Sequence, residues 1–266
     1  FIAFLIWELT EDHPIVDLSL FKSRNFTLGT IIFCLGNGVF FANMILMPLW
    51  LQTQLGYTAT WAGLVSAPTG VVAVLLTPLA AGLMARADAR LVASIAFAAA
   101  AASYFLRAGL TNDASFIAIA IPLMVQGVAS ASFFIAVVMI TLDAMPPARI
   151  PAASGLANFV RIIASGFAAS IVTTLWDNRE TLHQSRLADA TSAYAPQFNA
   201  ALAALRSMGL DDLAAKAAMT RGMEGQAYLL ASLDIFTLSA WLCIGLIGLL
   251  WLCHRPASDA TLPAAD

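Results

Sequence analysis

The sequence predicts an all-α transmembrane protein, in which six membrane-spanning helices form one bundle with a truncated helix before it. Hydrophobic residues make up 60% of the 266 positions and charged residues only 11%, with a mean hydropathy of +0.82. A soluble domain is about half apolar and about one quarter charged, so these charges are too few to cover a water-facing surface. No Asp, Glu, Lys or Arg occurs from Asn25 to Ala85. The apolar runs are continuous rather than alternating, which favours helices over barrel strands.

The same composition argues against several function classes. A soluble enzyme would need more charged surface, and the net charge of −3 argues against a nucleic-acid partner, which would require a basic patch. Cys34, Cys243 and Cys253 lie in apolar runs without metal-ligand spacing. The sequence has no nucleophile elbow, phosphate-binding loop or zinc-type spacing. We therefore expect no enzyme activity, no metal and no cofactor.

The first residues form a short apolar run, FIAFLIWE, at positions 1–8. Eight residues span about 12 Å as a helix, against a hydrocarbon core of about 30 Å. The run also lacks the basic start and small-residue cleavage site of a signal peptide. We interpret residues 1–8 as the end of a truncated transmembrane helix and residues 9–26 as the loop that follows it.

Six complete spans follow from the requirement for about 20 apolar residues per crossing. They are predicted at 27–52, 61–84, 91–110, 114–142, 152–176 and 226–253. The first five make up the block 27–176, separated by the turn GYTATWAG, the charged hinge RADAR and the proline-containing hinge DAMPPARIP. A polar insert at 177–225 precedes the sixth span, and a tail at 254–266 closes the chain.

Basic residues near the span ends predict the orientation, because Lys and Arg concentrate in cytoplasmic loops. One side of the membrane holds the segments 9–26, 85–90, 143–151 and 254–266. Their basic residues are Lys22, Arg24, Arg86, Arg90, Arg149 and Arg255. The opposite short turns, 53–60 and 107–113, hold only Arg107. The side that holds the first four segments, with their six basic residues, is therefore predicted to be cytoplasmic. The insert at 177–225 is predicted to face outwards.

The insert has helical periodicity. PQFNAALAALRSMG places Phe198, Leu202, Leu205 and Met208 on one face and ends in a glycine, and DDLAAKAAM has an acidic start. We predict a helical hairpin that covers the outer face of the bundle. The alternative is a partly ordered tether.

Arg161 is the most informative polar residue inside a predicted span, because a charge in the membrane is costly and needs a partner. Ser154, Asn158 and Ser165 share its helix face at spacings of three and four residues. One interpretation is a cavity arginine that binds anions or tunes a proton-linked carboxylate. The other is an arginine that snorkels to the cytoplasmic interface or pairs with helix-end carbonyls. The sequence does not separate the two.

Asp234 is the acidic residue nearest to a span interior on the outer side. If the sixth span begins at Gln226, Asp234 is buried and is a candidate proton carrier; if it begins at Ile235, Asp234 caps the helix. We expect the cap.

A ligand-facing surface is predicted where amide, aromatic and methionine side chains recur in the first, fourth and fifth spans. The candidates are Asn37, Phe41, Met44, Gln126, Phe133 and Asn158. Such a mixture of side chains is suited to binding hydrophobic ligands of varied shape. Phe and Met at helical spacing are also typical of plain helix packing, so the amides at Asn37 and Gln126 are the stronger indication.

Longer stretches of the sequence resemble a known family. GLMARADAR, between the second and third spans, resembles the glycine–acid–basic hinge motif of the major facilitator superfamily, with Gly82, Asp88 and Arg90 matching and the second glycine absent. WELTEDHPIVDLSLFKSRNFTLG, ITLDAMPPARIPAASGLANFVR and TTLWDNRETLH resemble the C-terminal half of EmrB-type multidrug efflux permeases. The resemblance covers nearly the whole chain.

The resemblance implies the C-terminal six-helix half of a fourteen-span drug:proton antiporter in a bacterial inner membrane. The implied activity is proton-driven export of hydrophobic, often weakly acidic, toxic compounds, with consequent antibiotic resistance, and the proton gradient would be the energy source. The implied partners are the N-terminal half of the same permease, a periplasmic membrane-fusion adaptor and an outer-membrane channel. Gly82, Arg86, Asp88 and Arg90 would form the cytoplasmic gate motif, and Arg161 and Asp234 are candidates for charge coupling.

Overall fold

The computed structural model describes residues 18–143, 145–190 and 196–254. The predicted truncated helix at 1–8, the first part of the loop at 9–26 and nearly all of the tail at 254–266 lie outside these residues. The described part consists of helices and short connections. The α-helices are α1 (Arg24–Thr53), α2 (Ala59–Met84), α3 (Ala89–Arg107), α4 (Phe116–Leu142), α5 (Ile150–Ala190), α6 (Pro196–Ser207) and α7 (Asp212–Leu250).

Six of these helices, all except α6, are long and apolar enough to cross a membrane, which confirms the predicted all-α transmembrane class. Their starts follow from local hydrogen bonding. The hydroxyl or carboxylate oxygens of Ser23, Thr58, Asp88, Ser115 and Asp211 each accept a backbone N–H in the first turn. These caps satisfy donors that have no partner within the helix.

The first three and the last three membrane-spanning helices pack against one another. α4 packs against α2 and α3, α1 packs against α5, and α7 packs against both α3 and α5. The first helix of each triplet (α1–α3 and α4, α5, α7) therefore packs on the second helix of the other triplet. The two triplets therefore pack as one bundle rather than as two separate units.

Close helix approach depends on small residues. A Cβ added at Gly127 of α4 would lie 2.7 Å from the backbone oxygen of Thr69 on α2, and one at Gly29 of α1 would lie 2.8 Å from the Cα of Thr141 on α4. Such contacts let backbones approach in a membrane, where packing rather than the hydrophobic effect holds helices together.

The bundle leaves wide apolar faces uncovered on two helices. On α2, Val74 is 73% exposed and Leu79 is 69% exposed; on α5, Phe167 is 65% exposed and Ile171 is 62% exposed. In a membrane these faces contact lipid tails or another apolar helix surface.

The outer insert differs from the predicted hairpin. α5 continues to Ala190 instead of ending at Trp176, and α7 begins at Asp212 and runs into the sixth span without a break. Only α6 (Pro196–Ser207) is a separate short helix, and it matches the periodic PQFNAALAALRS segment. The reason is local: DNRETLHQSRLADA contains neither Gly nor Pro, so nothing ends the helix where the apolar run ends.

The remaining span limits shift by a few residues. The first span begins at Arg24 instead of 27, the third ends at Arg107 instead of 110, and the last ends at Leu250 instead of 253. The interpretation of Arg107, at the end of the third span, changes because its side chain is buried, as described below.

Candidate functional site

A cavity of about 890 Å³ lies between α1, α2, α4 and α5. Five of the six predicted ligand-facing residues line it: Asn37, Phe41, Met44, Gln126 and Phe133. The sixth, Asn158, lines a neighbouring cavity of about 290 Å³. Arg161 lies at the wall of both cavities.

The predicted cavity residues differ in accessibility. Met44 is 71% exposed and Phe41 is 37% exposed, so both present apolar surface to the cavity. Phe133 is fully buried, where its ring contacts those of Phe40 and Phe97 at centroid distances of 4.8 Å and 5.6 Å. Phe133 therefore lines the cavity and is also part of the hydrophobic core.

Arg161 is held between α1 and α5 by two amide side chains. Its Nη2 and Nε donate to Oδ1 of Asn158 at 2.7 Å and 3.1 Å, and its Nη1 donates to Oδ1 of Asn37 at 3.2 Å. Asn37 in turn donates from Nδ2 to Oγ of Ser165 at 2.6 Å. The predicted polar stripe on α5 is thus completed by an amide from α1, and the partners of Arg161 are amide oxygens rather than helix-end carbonyls.

Two aromatic rings complete the surroundings of this charge. The guanidinium carbon of Arg161 lies 5.5 Å from the ring centre of Phe33 and 5.6 Å from that of Phe134. Ring faces carry partial negative charge and attract cations at such distances. The positive charge is therefore stabilised without a carboxylate.

A second cavity arginine, Arg107, falls both in the predicted third span (91–110) and in the predicted outer turn (107–113), and the sequence did not predict it to face a cavity. Arg107 is the last residue of α3, only 1% exposed, and lines the larger cavity. Its Nη2 donates to Oγ of Ser103 at 3.1 Å and to Oε1 of Gln126 at 3.2 Å. Side chains on a helix point towards its N-terminus, so an arginine at the end of α3 reaches back into the bundle. Applied to the sequence, this rule could have predicted that Arg107 faces the bundle.

The cavity walls carry positive charge and no negative charge. Arg107 and Arg161 line the larger cavity, and no Asp or Glu of the described residues lines either cavity. No group of three or more His, Cys, Asp or Glu residues suited to a metal ion occurs within residues 18–143, 145–190 and 196–254.

Asp234 does not cap a helix, so that expectation is also wrong. It lies in the interior of α7, because the helix begins at Asp212, and its side chain is 39% exposed rather than buried. Its Oδ2 contacts Nε2 of His183 at 2.9 Å and Nη1 of Arg179 at 3.3 Å, both on α5. Asp234 therefore joins α7 to the part of α5 that follows Trp176. The sequence could not pair these residues, which lie about 50 positions apart.

The predicted cytoplasmic gate motif lies between α2 and α3. Asp88 caps α3 and forms a salt bridge with Arg90 at 2.9 Å, and both side chains are largely buried. Arg90 also donates from Nη1 to the carbonyl oxygen of Cys253 at 3.3 Å and lies 5.2 Å from the ring centre of Trp251. The motif thus links the start of α3 to the end of α7. Arg86 is exposed, and a Cβ at Gly82 would meet open space.

Comparison with known proteins agrees with this architecture. Residues 8–169 match the Major Facilitator Superfamily. The chain belongs to this superfamily of transporters. Its six helices that are long and apolar enough to cross a membrane fit one half of this fold, and the chain is a multi-pass inner-membrane protein.

Curated relatives narrow the resemblance further. The chain is 39% identical to the multidrug export protein EmrB of Escherichia coli over 257 residues, which is 96% of this chain and 50% of the relative. It is 38% identical to the fatty acid resistance protein FarB of Neisseria gonorrhoeae, over 95% of this chain and 50% of that protein. A more distant relative, at 26% identity over 65% of this chain and 37% of its own length, is the lincomycin resistance protein LmrB of Listeria monocytogenes. The chain spans about half the length of the first two relatives.

Proposed function

We propose that this chain is the half of a permease that exports hydrophobic drugs and toxic compounds across the bacterial inner membrane, driven by the proton gradient. The observation that carries the proposal is the mostly apolar cavity of about 890 Å³ between α1, α2, α4 and α5, with two arginines at its wall. Binding sites for small molecules have this character: apolar walls with a few fixed polar groups. The relatives named for export of drugs and for resistance to fatty acids support the same direction.

The proposal includes a second, N-terminal half. The apolar faces of α2 and α5, which contain Val74, Leu79, Phe167 and Ile171, would be covered in part by that half. Transport would follow from rocking of the two halves around the cavity, and the protonatable carboxylate would lie on the other half. Arg161 would couple charge to this movement, because its partners come from both α1 and α5.

The gate role of Asp88 and Arg90 is part of the same proposal. Their salt bridge sits where α3 begins and contacts the end of α7, so it stabilises one arrangement of the cytoplasmic ends. A change of arrangement there requires the contact between Arg90 and the carbonyl of Cys253 to break. Arg86, which is exposed on the same hinge, would contact the other half.

A periplasmic adaptor is the proposed partner of the outer extension, and through it an outer-membrane channel. α5 and α7 extend beyond the apolar core, and α6 packs on α7; Leu202 of α6 and Ala215 of α7 are both buried. Trp176 secures the base of this extension by donating from Nε1 to Oγ of Ser232 at 2.9 Å. Deletion of residues 180–222 should abolish adaptor capture in a pull-down; retained capture with lost transport would contradict docking at this site.

The proposed activity is tested with the complete gene product that contains this chain, in inverted membrane vesicles. An imposed proton gradient should drive accumulation of the uncharged dye Nile red, and collapse of that gradient with nigericin should abolish it. Movement of the dye in the opposite direction would favour an importer on the same fold. Transport of polar metabolites in place of the dye would favour a metabolite exporter.

A further inference from the structure

Arg107 is a buried charge whose hydrogen-bonding capacity is incompletely used. The side chain is 1% exposed and forms no salt bridge with any of the residues that the structure describes. Both of its hydrogen bonds use Nη2, and the acceptors, Ser103 and Gln126, are neutral. Nε is buried without any acceptor. Guanidinium groups favour planar anions that accept two bonds at once, so this site lacks the partner that suits it best.

The surroundings fix the guanidinium in place. Its carbon lies 5.1 Å from the ring centre of Tyr104 and 5.8 Å from that of Phe236. Gln126 is itself oriented, because its Nε2 donates to Oη of Tyr104 at 3.2 Å while its Oε1 accepts from Arg107. A charge held rigidly by rings and amides requires little rearrangement when an anion binds.

We propose that Arg107 is the anion subsite of the cavity, and that it selects ligands that carry a carboxylate on an apolar body. The inference rests on the proposed transport of small hydrophobic molecules and assigns the charge selectivity of that site to one residue. Three observations carry it: the unused donor capacity of Arg107, its position at the wall of a cavity of about 890 Å³, and the absence of Asp and Glu from the described lining.

The side-chain oxygen of Gln126 occupies the position on Arg107 that the carboxylate of a ligand would take. Oε1 of Gln126 accepts from Nη2 and the Gln126 side chain lines the cavity, whereas Ser103, the other acceptor of Nη2, is not among the lining residues. A ligand carboxylate would displace this amide oxygen and accept from Nη2 and Nε of Arg107. The apolar body of the ligand would then lie along Met44, Met47 and Leu123.

The test compares two probes of nearly equal size, naphthalene-2-carboxylate and naphthalene-2-carboxamide. Binding to the complete permease in lipid nanodiscs is measured by calorimetry at a pH at which the carboxylate is ionised. We expect wild-type protein to bind the carboxylate about ten- to a hundredfold more tightly than the carboxamide. This ratio is the contribution to affinity that hydrogen bonds to a charged group typically make. Arg107→Gln should remove this preference and leave carboxamide affinity within about twofold.

Three further variants separate the subsite from other causes. Arg107→Lys keeps the charge and should retain part of the preference. Gln126→Glu keeps Arg107 but supplies a carboxylate within the protein, so it should abolish the preference even if Arg107→Gln fails to fold. Arg221→Gln removes an exposed arginine on the outer part of α7, away from the cavity, and should bind both probes as wild type does.

Several outcomes would overturn the inference. Retention of the preference in Arg107→Gln, together with its loss in Arg161→Gln, would move the anion subsite to Arg161. A large fall in unfolding temperature with an unchanged preference would show that Arg107 has a structural role and is not the anion subsite. Wild-type protein that binds both probes equally would contradict the inference alone, whereas binding of neither would also contradict the proposed transport function.

Discussion

Oδ1 of Asn37 accepts a hydrogen bond from Nη1 of Arg161 at 3.2 Å, and this contact joins α1 to α5 beside the cavity. The two residues are 124 positions apart in the sequence. Asn37 also donates to Ser165, one helical turn from Arg161, so a single amide contacts α5 at two points. Because both helices line the cavity, the position of α5 relative to α1 depends on this amide and this charge.

Arg161→Ala is expected to lower efflux without removing the protein from the membrane. The change leaves Oδ1 of Asn37 and of Asn158 without their charged donor. We expect transport to fall by about tenfold, which corresponds to ~1.4 kcal/mol. Dye efflux from cells with equal membrane content of both proteins measures this. Arg24→Ala, which removes an exposed arginine in the first turn of α1, is the control, and unchanged efflux in Arg161→Ala would show that Arg161 has no role in transport.

Gly127→Ala is expected to destabilise the bundle. The added Cβ would lie 2.7 Å from the backbone oxygen of Thr69 and from Cβ of Val72, so α2 and α4 must move apart. Overpacking of this kind costs ~1–3 kcal/mol. Thermal unfolding in detergent measures the effect. Gly248→Ala on α7, where an added Cβ meets open space, is the matched control and should leave the unfolding temperature unchanged or slightly raised. Equal temperatures for both variants would contradict close packing at Gly127.

Asp88→Asn is expected to shift the equilibrium between arrangements of the cytoplasmic ends. Asparagine caps a helix about as well as aspartate, so α3 should keep its start while the salt bridge with Arg90 is lost. Distances between spin labels near the ends of α2 and α7 should broaden or move. Asp88→Ala removes the cap as well and should lose a further ~0.5–2 kcal/mol of stability. An unchanged distance distribution and unchanged resistance at equal expression would contradict the gate role.

Asp234→Asn is expected to have a small effect on the free energy of unfolding. The carboxylate is 39% exposed, and ion pairs in such positions contribute ~0–1 kcal/mol. Its contacts with His183 and Arg179 hold the outer parts of α5 and α7, so looser contact there should increase proteolysis near residues 179–190. Proton-dependent transport should persist. Loss of proton dependence in this variant would instead make Asp234 a proton carrier.

The membrane class and the number of helices could be predicted because the lipid environment constrains a sequence strongly. Backbone groups in lipid must bond within the segment, so a continuous apolar run of sufficient length has only the helix available. The run from Asn25 to Ala85 therefore gave two spans on either side of Gly56 and Tyr57. That constraint ends at the membrane surface, which is why the continuation of α5 to Ala190 and the start of α7 at Asp212 were not predicted.

Candidate cavity residues could be predicted by residue type, because an amide or a charge inside a membrane span needs a partner. Asn37, Gln126 and Arg161 were found in this way. Their partners could not be predicted, because the bonds from Asn37 to Ser165 and from Arg107 to Gln126 join different helices. Arg107 was missed because its place at a span end suggested an outer turn, whereas the direction of side chains on α3 carries it inwards.

The sequence by itself determined that this protein lies in a membrane, because only 11% of its residues are charged and it contains long runs without any charge. Only the tertiary structure decided which charges face the cavity and which join helices. Arg107 and Asp234 both occur near the predicted outer side, yet one lies buried at a cavity wall and the other lies half-exposed between α5 and α7. The reason is that burial depends on which helices pack together, and packing between distant segments is not written in the spacing of residues along one helix.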